Sequence, residues 1–248
     1  MRSDAGRAVP GPIPQAARVA VIAALAVERA CLDRAGVDSA AAIVHQSGPG
    51  GARAAAAARA AVAAGADALV SWGLAGGLVA AAAPGSVVIP GRIVSDRGIW
   101  LTDGRWLAAL HALLAPDFTL HAGALASVDA VLESPQAKDR AALATGAVAA
   151  DMESAGIAAV AAETGLPFAA IRVVADGHAD ALPAGVEQWV DAAGDRKISP
   201  LLGVVLTPAQ WPDLWLLARR YRAASRTLGD LAGVLGPRAF CRPGRALA

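Results

Sequence analysis

The chain has 248 residues, enough for one large α/β domain, and its 56% hydrophobic but only 4% aromatic composition points to a core of Ala, Val, Leu and Ile. A formal net charge of +1 gives no bulk electrostatic case for nucleic-acid binding. The two cysteines, Cys31 and Cys241, lie far apart without CxxC spacing. That argues against a disulfide scaffold or a zinc site and makes a reducing cytosol the expected compartment.

In chain order, Met1 to Gln15 holds charges, glycine, Pro10, Pro12 and Pro14, without the apolar core of a signal peptide. Residues 1–17 are expected to form a disordered leader. Arg18 to Leu25 reads as a strand running into a helix that carries Glu28. Ala41 to Gln46 is a second strand, followed by Ser47-Gly48-Pro49-Gly50-Gly51 and an alanine helix over 52–64. Ala68 to Trp72 is a strand ending in the loop Gly73-Leu74-Ala75-Gly76-Gly77. Short strands are expected over 86–89 and 93–95, a helix over 107–114, and one strand over 120–127. Pro135 to Thr145 is helical, and Ala147 to Ala150 is a strand delivering Met152 and Glu153. Ser154 to Thr164 is a helix stopped by Gly165 and Pro167, and Phe168 to Ala175 is a buried strand. Alternating strands and helices imply a sheet layered by helices.

After Asp176 the character changes. An apolar segment over 199–206 precedes Trp211, Leu214, Trp215 and Leu217, then Arg219, Arg220, Arg222 and Arg226. The main domain is expected over 18–198, a helical extension packed on it over 199–236, and a disordered tail over 237–248. Every apolar run breaks before the ~20 residues a bilayer span needs.

Three acids carry the chemical signal. Glu28 opens the first helix, Glu153 opens the helix after Met152, and Asp176 ends the next strand. In an open α/β sheet all three fall at the carboxyl edge, where ligands gather. Each alone reads as a helix-end charge. Together they suggest a site that binds hydroxyls and moves a proton. Arg172, inside an apolar strand, must be paired if buried, either in a structural ion pair or with Glu28 or Glu153. Ser47 to Gly51 could cradle an anion at a helix N-terminus, but Arg53 occupies the third glycine position of a dinucleotide fingerprint. His45, His111, His121 and His178 show no metal spacing, and Cys31 reads as a buried apolar residue.

These segments resemble the nucleoside phosphorylase superfamily, and within it the methylthioadenosine/S-adenosylhomocysteine nucleosidases. The resemblance runs from about Val19 to Asp176. It is carried by Ala24-Leu-Ala-Val-Glu28, Ser47-Gly-Pro-Gly50, Gly73-Leu-Ala-Gly76-Gly77 and Ser127-Val-Asp129. The most specific pair is Asp151-Met-Glu153-Ser-Ala with Arg172-Val-Val-Ala-Asp176. A narrower resemblance, to the hopanoid-associated phosphorylases, rests on Trp72, Thr102-Asp103-Gly-Arg-Trp106 and the segment around Leu202 to Leu206 with its arginine-bearing sequel.

The resemblance implies a three-layer αβα sandwich around a mixed sheet with a C-terminal helical extension. It implies cleavage of the N-glycosidic bond of a 5′-substituted adenosine, with adenosylhopane the substrate of the narrower family. Asp176 would protonate the leaving base, and Glu28 with Arg172 would orient the nucleophile. Met152 and Glu153 would hold the ribose, and Ala75, Gly76, Ser127, Val131 and Leu132 would line the substrate. Neither metal nor organic cofactor is implied. Phosphate or water serves as nucleophile, the partner is a nucleoside or nucleolipid, and the family commonly forms homodimers. A cytoplasmic enzyme is expected, with peripheral contact to the inner face of the membrane.

Two departures stand out. Val131 replaces a phenylalanine over the purine, leaving Trp72 or Phe168 to stack on the base. Leu74 replaces a Ser or Thr, and no arginine stands near Ser71 to hold phosphate, which tilts the reading toward water. The alternatives are a soluble methylthioadenosine/S-adenosylhomocysteine nucleosidase and, from another class, a non-catalytic nucleoside-binding protein associated with membranes.

Overall fold

The computed structural model describes residues 18–37, 42–183, 185–186, 191–195 and 211–239, with side chains in the last segment described over 218–236. The expected leader, the apolar segment over 199–206 and the tail beyond 239 lie outside the described residues.

The described strands are β1 (Val19–Ala23), β2 (Ala42–Gln46), β3 (Ala68–Gly77), β4 (Val87–Val88), β5 (Arg92–Ser95), β6 (Gly98–Leu101), β7 (Leu120–His121), β8 (Ala124–Ser127), β9 (Ala147–Asp151) and β10 (Phe168–Asp176). The helices are α1 (Ala26–Arg34), α2 (Gly51–Ala63), α3 (Gly104–Leu114), α4 (Pro135–Thr145), α5 (Ser154–Thr164) and α6 (Trp211–Ala239). α4 starts at a serine cap, with the Ser134 hydroxyl accepting from Ala137 N and Pro135 in the first turn. α4 and α5 both end on left-handed glycines, Gly146 and Gly165, as the sequence predicts for α5.

One mixed sheet runs β6-β5-β8-β9-β3-β10-β4-β7, with β1 and β2 branching from β3. Alternate residues of the central strands enter two cores, as the two-residue period of a strand requires. Val19, Val21, Val70, Trp72, Ile171 and Val173 pack with Leu32 of α1, Trp106 and Leu110 of α3, and Leu228 and Leu231 of α6. Ala20, Ile22, Leu69, Ala170 and Val174 pack on the opposite face with Ala54 and Ala58 of α2 and Ile157 and Val160 of α5. This is the expected three-layer αβα sandwich with a C-terminal helix.

Three details differ from the sequence expectation. The glycine stretch over 73–77 is not a loop but the second half of β3. The expected strand over 120–127 is two strands, broken at Gly123, whose φ is +119°. β6, a four-residue edge strand, carries Ile99 and Leu101 outward and was not anticipated. At the C-terminus, α6 leaves helical geometry at Gly236.

Candidate active site

The site lies where β3 changes partners. Residues 68–72 of β3 pair with β1, whereas Gly76 and Gly77 pair with β9. Between them Gly73, Leu74 and Ala75 keep β10 on one side and, among the described residues, have no strand on the other. Such a switch point opens a crevice at the strand ends. Glu28, third residue of α1, fills it: its Oε1 accepts from Leu74 N at 2.8 Å, and its Oε2 accepts from Ala24 N and Leu25 N, each at 2.9 Å. The acid therefore caps its own helix and also bonds a strand N–H left unpaired at the switch. Burial pushes its carboxyl above the usual range, while Arg172 and the three backbone donors pull it down.

Gly73 is required here. Its φ is +151°, and a Cβ would stand 2.3 Å from Glu28 Oε1 and 2.6 Å from Arg172 Nη1. The glycine lets a carboxylate and a guanidinium both close on the strand.

Arg172 sits opposite Gly73 in the β10–β3 register and is 1% exposed. Its Nη2 lies 2.6 Å from Asp151 Oδ2, and donates to Ser71 Oγ at 2.6 Å and to Ser154 Oγ at 3.2 Å; Glu153 Oε2 lies at 3.8 Å. Burial disfavours its charge, but Asp151, Glu153 and Glu28 outweigh that and hold the guanidinium firmly ionised. Its principal partner is thus Asp151, which the sequence expectation had not assigned. Asp151 ends β9 and also accepts from Ser154 N and Ser154 Oγ at the start of α5. Nε and Nη1 of Arg172 have no acceptor among the described residues.

Glu153 accepts from Gly50 N at 2.8 Å, so the glycine turn before α2 does hold an anion, and that anion is the protein's own carboxylate. Burial raises the Glu153 carboxyl to about 7; Arg172 opposes the rise and Asp151 adds to it. A carboxyl held above the ~4.3 of an unfolded glutamate binds its proton more tightly in the folded state. Its contribution to stability is complete below about pH 4 and is lost as pH climbs toward 7. The unliganded protein is therefore expected to melt at lower temperature at pH 8 than at pH 5, and Glu153→Gln is expected to flatten that slope. A Tm that does not fall over this range in the wild type would contradict the assignment.

Asp176 ends β10 opposite Gly76, and a Cβ on Gly76 would stand 3.4 Å from its Oδ2. Burial raises its carboxyl, against the pull of a buried cation, Lys138 of α4, which donates to Oδ2. Ser127 pairs with Asp151 across β8–β9, and its hydroxyl accepts from Ala155 N at 3.1 Å. Met152 lines a small cleft with Gly51, Ser127, Asp129 and Ala155. Ala75 is buried in β3; Val131 and Leu132 are half-buried, and Leu132 packs with Leu78, Ala126 and Ala150.

Neither candidate for stacking on a base is placed for it. Trp72 is fully buried between β3 and the α1 layer and donates its indole N–H to Glu28 O at 3.3 Å. Phe168 begins β10, eight residues from Asp176, which at ~3.3 Å per residue is roughly 26 Å away. Two further residues of the narrower resemblance are also structural: Asp103 caps α3 by accepting from Trp106 N at 2.9 Å, and Trp106 is 1% exposed.

Buried acids, a buried arginine and a carboxyl raised to about 7 meet along one edge of an αβα sandwich, an arrangement suited to holding a polar ligand and moving a proton. The chain belongs to the phosphorylase superfamily, whose family model matches residues 36–199. No curated protein matches it. Among solved structures it is similar to the 5′-methylthioadenosine/S-adenosylhomocysteine nucleosidase of Neisseria meningitidis bound to methylthio-immucillin-A, at 19% identity and a TM-score of 0.66 over 88% of this chain and 97% of that one. The S-adenosylhomocysteine nucleosidase of Streptococcus pyogenes with 5-methylthiotubericidin gives 22% identity and a TM-score of 0.61 over 66% and 86% of the two chains. Futalosine hydrolase of Helicobacter pylori gives 15% identity and a TM-score of 0.64 over 86% and 96%. At such identities the likeness establishes the fold.

Proposed function

We propose that this chain hydrolyses the N-glycosidic bond of a 5′-substituted adenosine and releases adenine, with adenosylhopane as the 5′-substituted substrate. The observation that carries the reaction is the convergence of Glu28, Arg172 and Glu153 on the β3 switch point, with Asp176 farther along the same sheet edge. Asp176 gives a proton to N7 of the leaving adenine. Glu153 takes the ribose hydroxyls, and Met152 packs against the sugar. Glu28, with the unpaired N–H groups of Arg172, orients a water on the opposite face of the anomeric carbon. Two carboxylates flanking a glycosidic carbon follow glycosidase logic, here with a nucleobase leaving.

Water is favoured over phosphate by the charges already present. Glu28, Asp151 and Glu153 surround Arg172, and Ser71 is spent on Arg172 and Ser154. An incoming phosphate would meet several carboxylates and a guanidinium already shared among them.

The lipid part of the reading rests on the sequence resemblance and on the basic stretch of α6. Leu228 and Leu231 of α6 are buried in the protein core and are not free to meet a membrane. Membrane docking would therefore fall to the part of α6 around Trp211 and Trp215, whose side chains lie outside the described residues, and to the exposed Arg222 and Arg226. No helix among the described residues is long and apolar enough to cross a membrane. A peripheral homodimer on the inner face of the cytoplasmic membrane fits this reading.

The test is adenine release from 5′-methylthioadenosine, S-adenosylhomocysteine and an adenosine with a long apolar 5′-substituent, each with and without phosphate and with anionic liposomes. The expected result is free sugar product, phosphate-independent rates, preference for the apolar substituent and liposome binding that weakens with salt. Obligatory phosphate would replace hydrolysis by phosphorolysis. Preference for the small thio-nucleosides without liposome binding would replace adenosylhopane by the soluble nucleosidase reading.

A further inference from the structure

Lys138 touches none of the reacting atoms, yet it is the buried cation that contacts Asp176. Lysine is almost never fully buried unless paired, and Lys138 is 1% exposed. Its Nζ donates to Asp176 Oδ2, to the Gly177 carbonyl at 2.7 Å and to the Asp180 carbonyl at 2.9 Å. Three acceptors match the three N–H bonds of an ammonium, whereas a neutral amine would set its lone pair against one of them. The geometry therefore holds Lys138 charged.

The same contacts shape the chain after β10. Gly177 N donates to Asp180 Oδ2 at 2.7 Å, closing the turn, and Arg220 of α6 lies 2.7 Å from Asp180 Oδ1. Lys138 thus pins Asp176 and the turn that follows it to α4, and Arg220 pins the same turn to α6.

We infer that Lys138 is a positioning residue for Asp176: it engages one carboxylate oxygen, fixes the Gly177–Asp180 turn around it, and leaves the other oxygen to meet the leaving base. This rests on the reaction proposed above. A general acid works only within hydrogen-bond reach of the atom it protonates. An unrestrained aspartate turns about its Cβ–Cγ bond and presents either oxygen. With Oδ2 engaged, Oδ1 is the presented atom.

The charge also matters to the step itself. Transfer breaks the O–H bond of Asp176, forms an N–H bond at the base, and leaves a carboxylate facing an ammonium. The ion pair is the state the enzyme reaches as the base departs, and Asp176 regains its proton from solvent on product release. The charged groups facing Asp176 are Lys138 from α4, Asp180 from the turn after β10, and Arg220 from α6. Arg220 is paired to Asp180, so Lys138 is the cation that acts on Asp176 directly.

The experiment compares full-length wild type, Lys138→Met and Lys138→Arg by two readouts. One is a ¹³C-detected pH titration of the Asp176 carboxyl, which needs no substrate. Its midpoint is expected to rise in Lys138→Met and to return toward wild type in Lys138→Arg. The other is the pH profile of adenine release. In Lys138→Met, kcat is expected to fall by about 10²-fold, the scale of a misplaced reacting group, with KM little changed and the high-pH limb displaced upward. Lys138→Gln removes the charge but keeps an N–H donor, so its Asp176 midpoint is expected to rise as in Lys138→Met with a smaller loss of kcat, and it replaces Lys138→Met in both readouts if that variant does not fold. An unmoved Asp176 midpoint with wild-type turnover would overturn the role of Lys138 alone. A wild-type enzyme that releases no base from any of these nucleosides would overturn the reaction instead.

Discussion

Asp176→Asn is expected to lower adenine release by about 10²–10⁴-fold, the usual contribution of a general acid, while the fold and nucleoside-analogue binding survive. Asparagine keeps the shape of the side chain, and its carbonyl oxygen can still accept from Lys138. It has no carboxyl proton to give. Lys138 also keeps two backbone carbonyls as acceptors, so the substitution does not strand a buried ammonium. Turnover is read by adenine release under saturating nucleoside, and binding by calorimetry with a non-cleavable analogue. Near wild-type turnover would remove Asp176 from the chemistry. Equal loss of binding and turnover would assign it to holding the base rather than to protonating it.

Much of this site was legible in sequence because its parts lie at element ends. Glu28, Glu153 and Asp176 each follow or close a strand, and strand–helix alternation alone brings such positions to one sheet edge. Arg172 was marked by its apolar neighbours. Asp151 was in view as part of a motif, but its pairing with Arg172 depends on β9 and β10 flanking β3, a neighbour relation that no local pattern encodes. The glycines over 73–77 looked like a loop because glycine weakens a strand. They are a strand because β10 pairs with residues 73–76 and β9 with Gly76 and Gly77, and Gly73 is a glycine because Glu28 and Arg172 close on its backbone. Lys138 was hidden by Asp139 and Arg140, which make the helix read as solvated. The available signal was spacing: Ala141 and Ala142, three and four residues on, share its face and pack inward. Trp72 shows the opposite failure, a residue conspicuous by type whose role is packing.

Arg172 is expected to give the largest stability loss in the molecule. Arg172→Met keeps apolar bulk and removes the one guanidinium that Asp151, Glu153 and Glu28 share. Breaking a buried ion pair from one side typically costs about 3–5 kcal/mol, because the remaining charge is left uncompensated. Here the cost depends on pH in a defined direction. Glu153 and Glu28 already hold protons more tightly than ordinary glutamates, and in Arg172→Met they hold them more tightly still. The deficit relative to wild type should therefore grow as pH rises past the Glu153 midpoint of about 7, and be larger at pH 8 than at pH 5. Urea unfolding at the two pH values measures it. A deficit that does not grow with pH would mean that the Glu153 charge does not depend on Arg172. Adding Asp151→Asn to Arg172→Met removes the closest stranded carboxylate, so the double variant should regain part of the stability at pH 8. It should regain no activity, because neither Asn nor Met can restore the N–H groups that face Glu28 across Gly73.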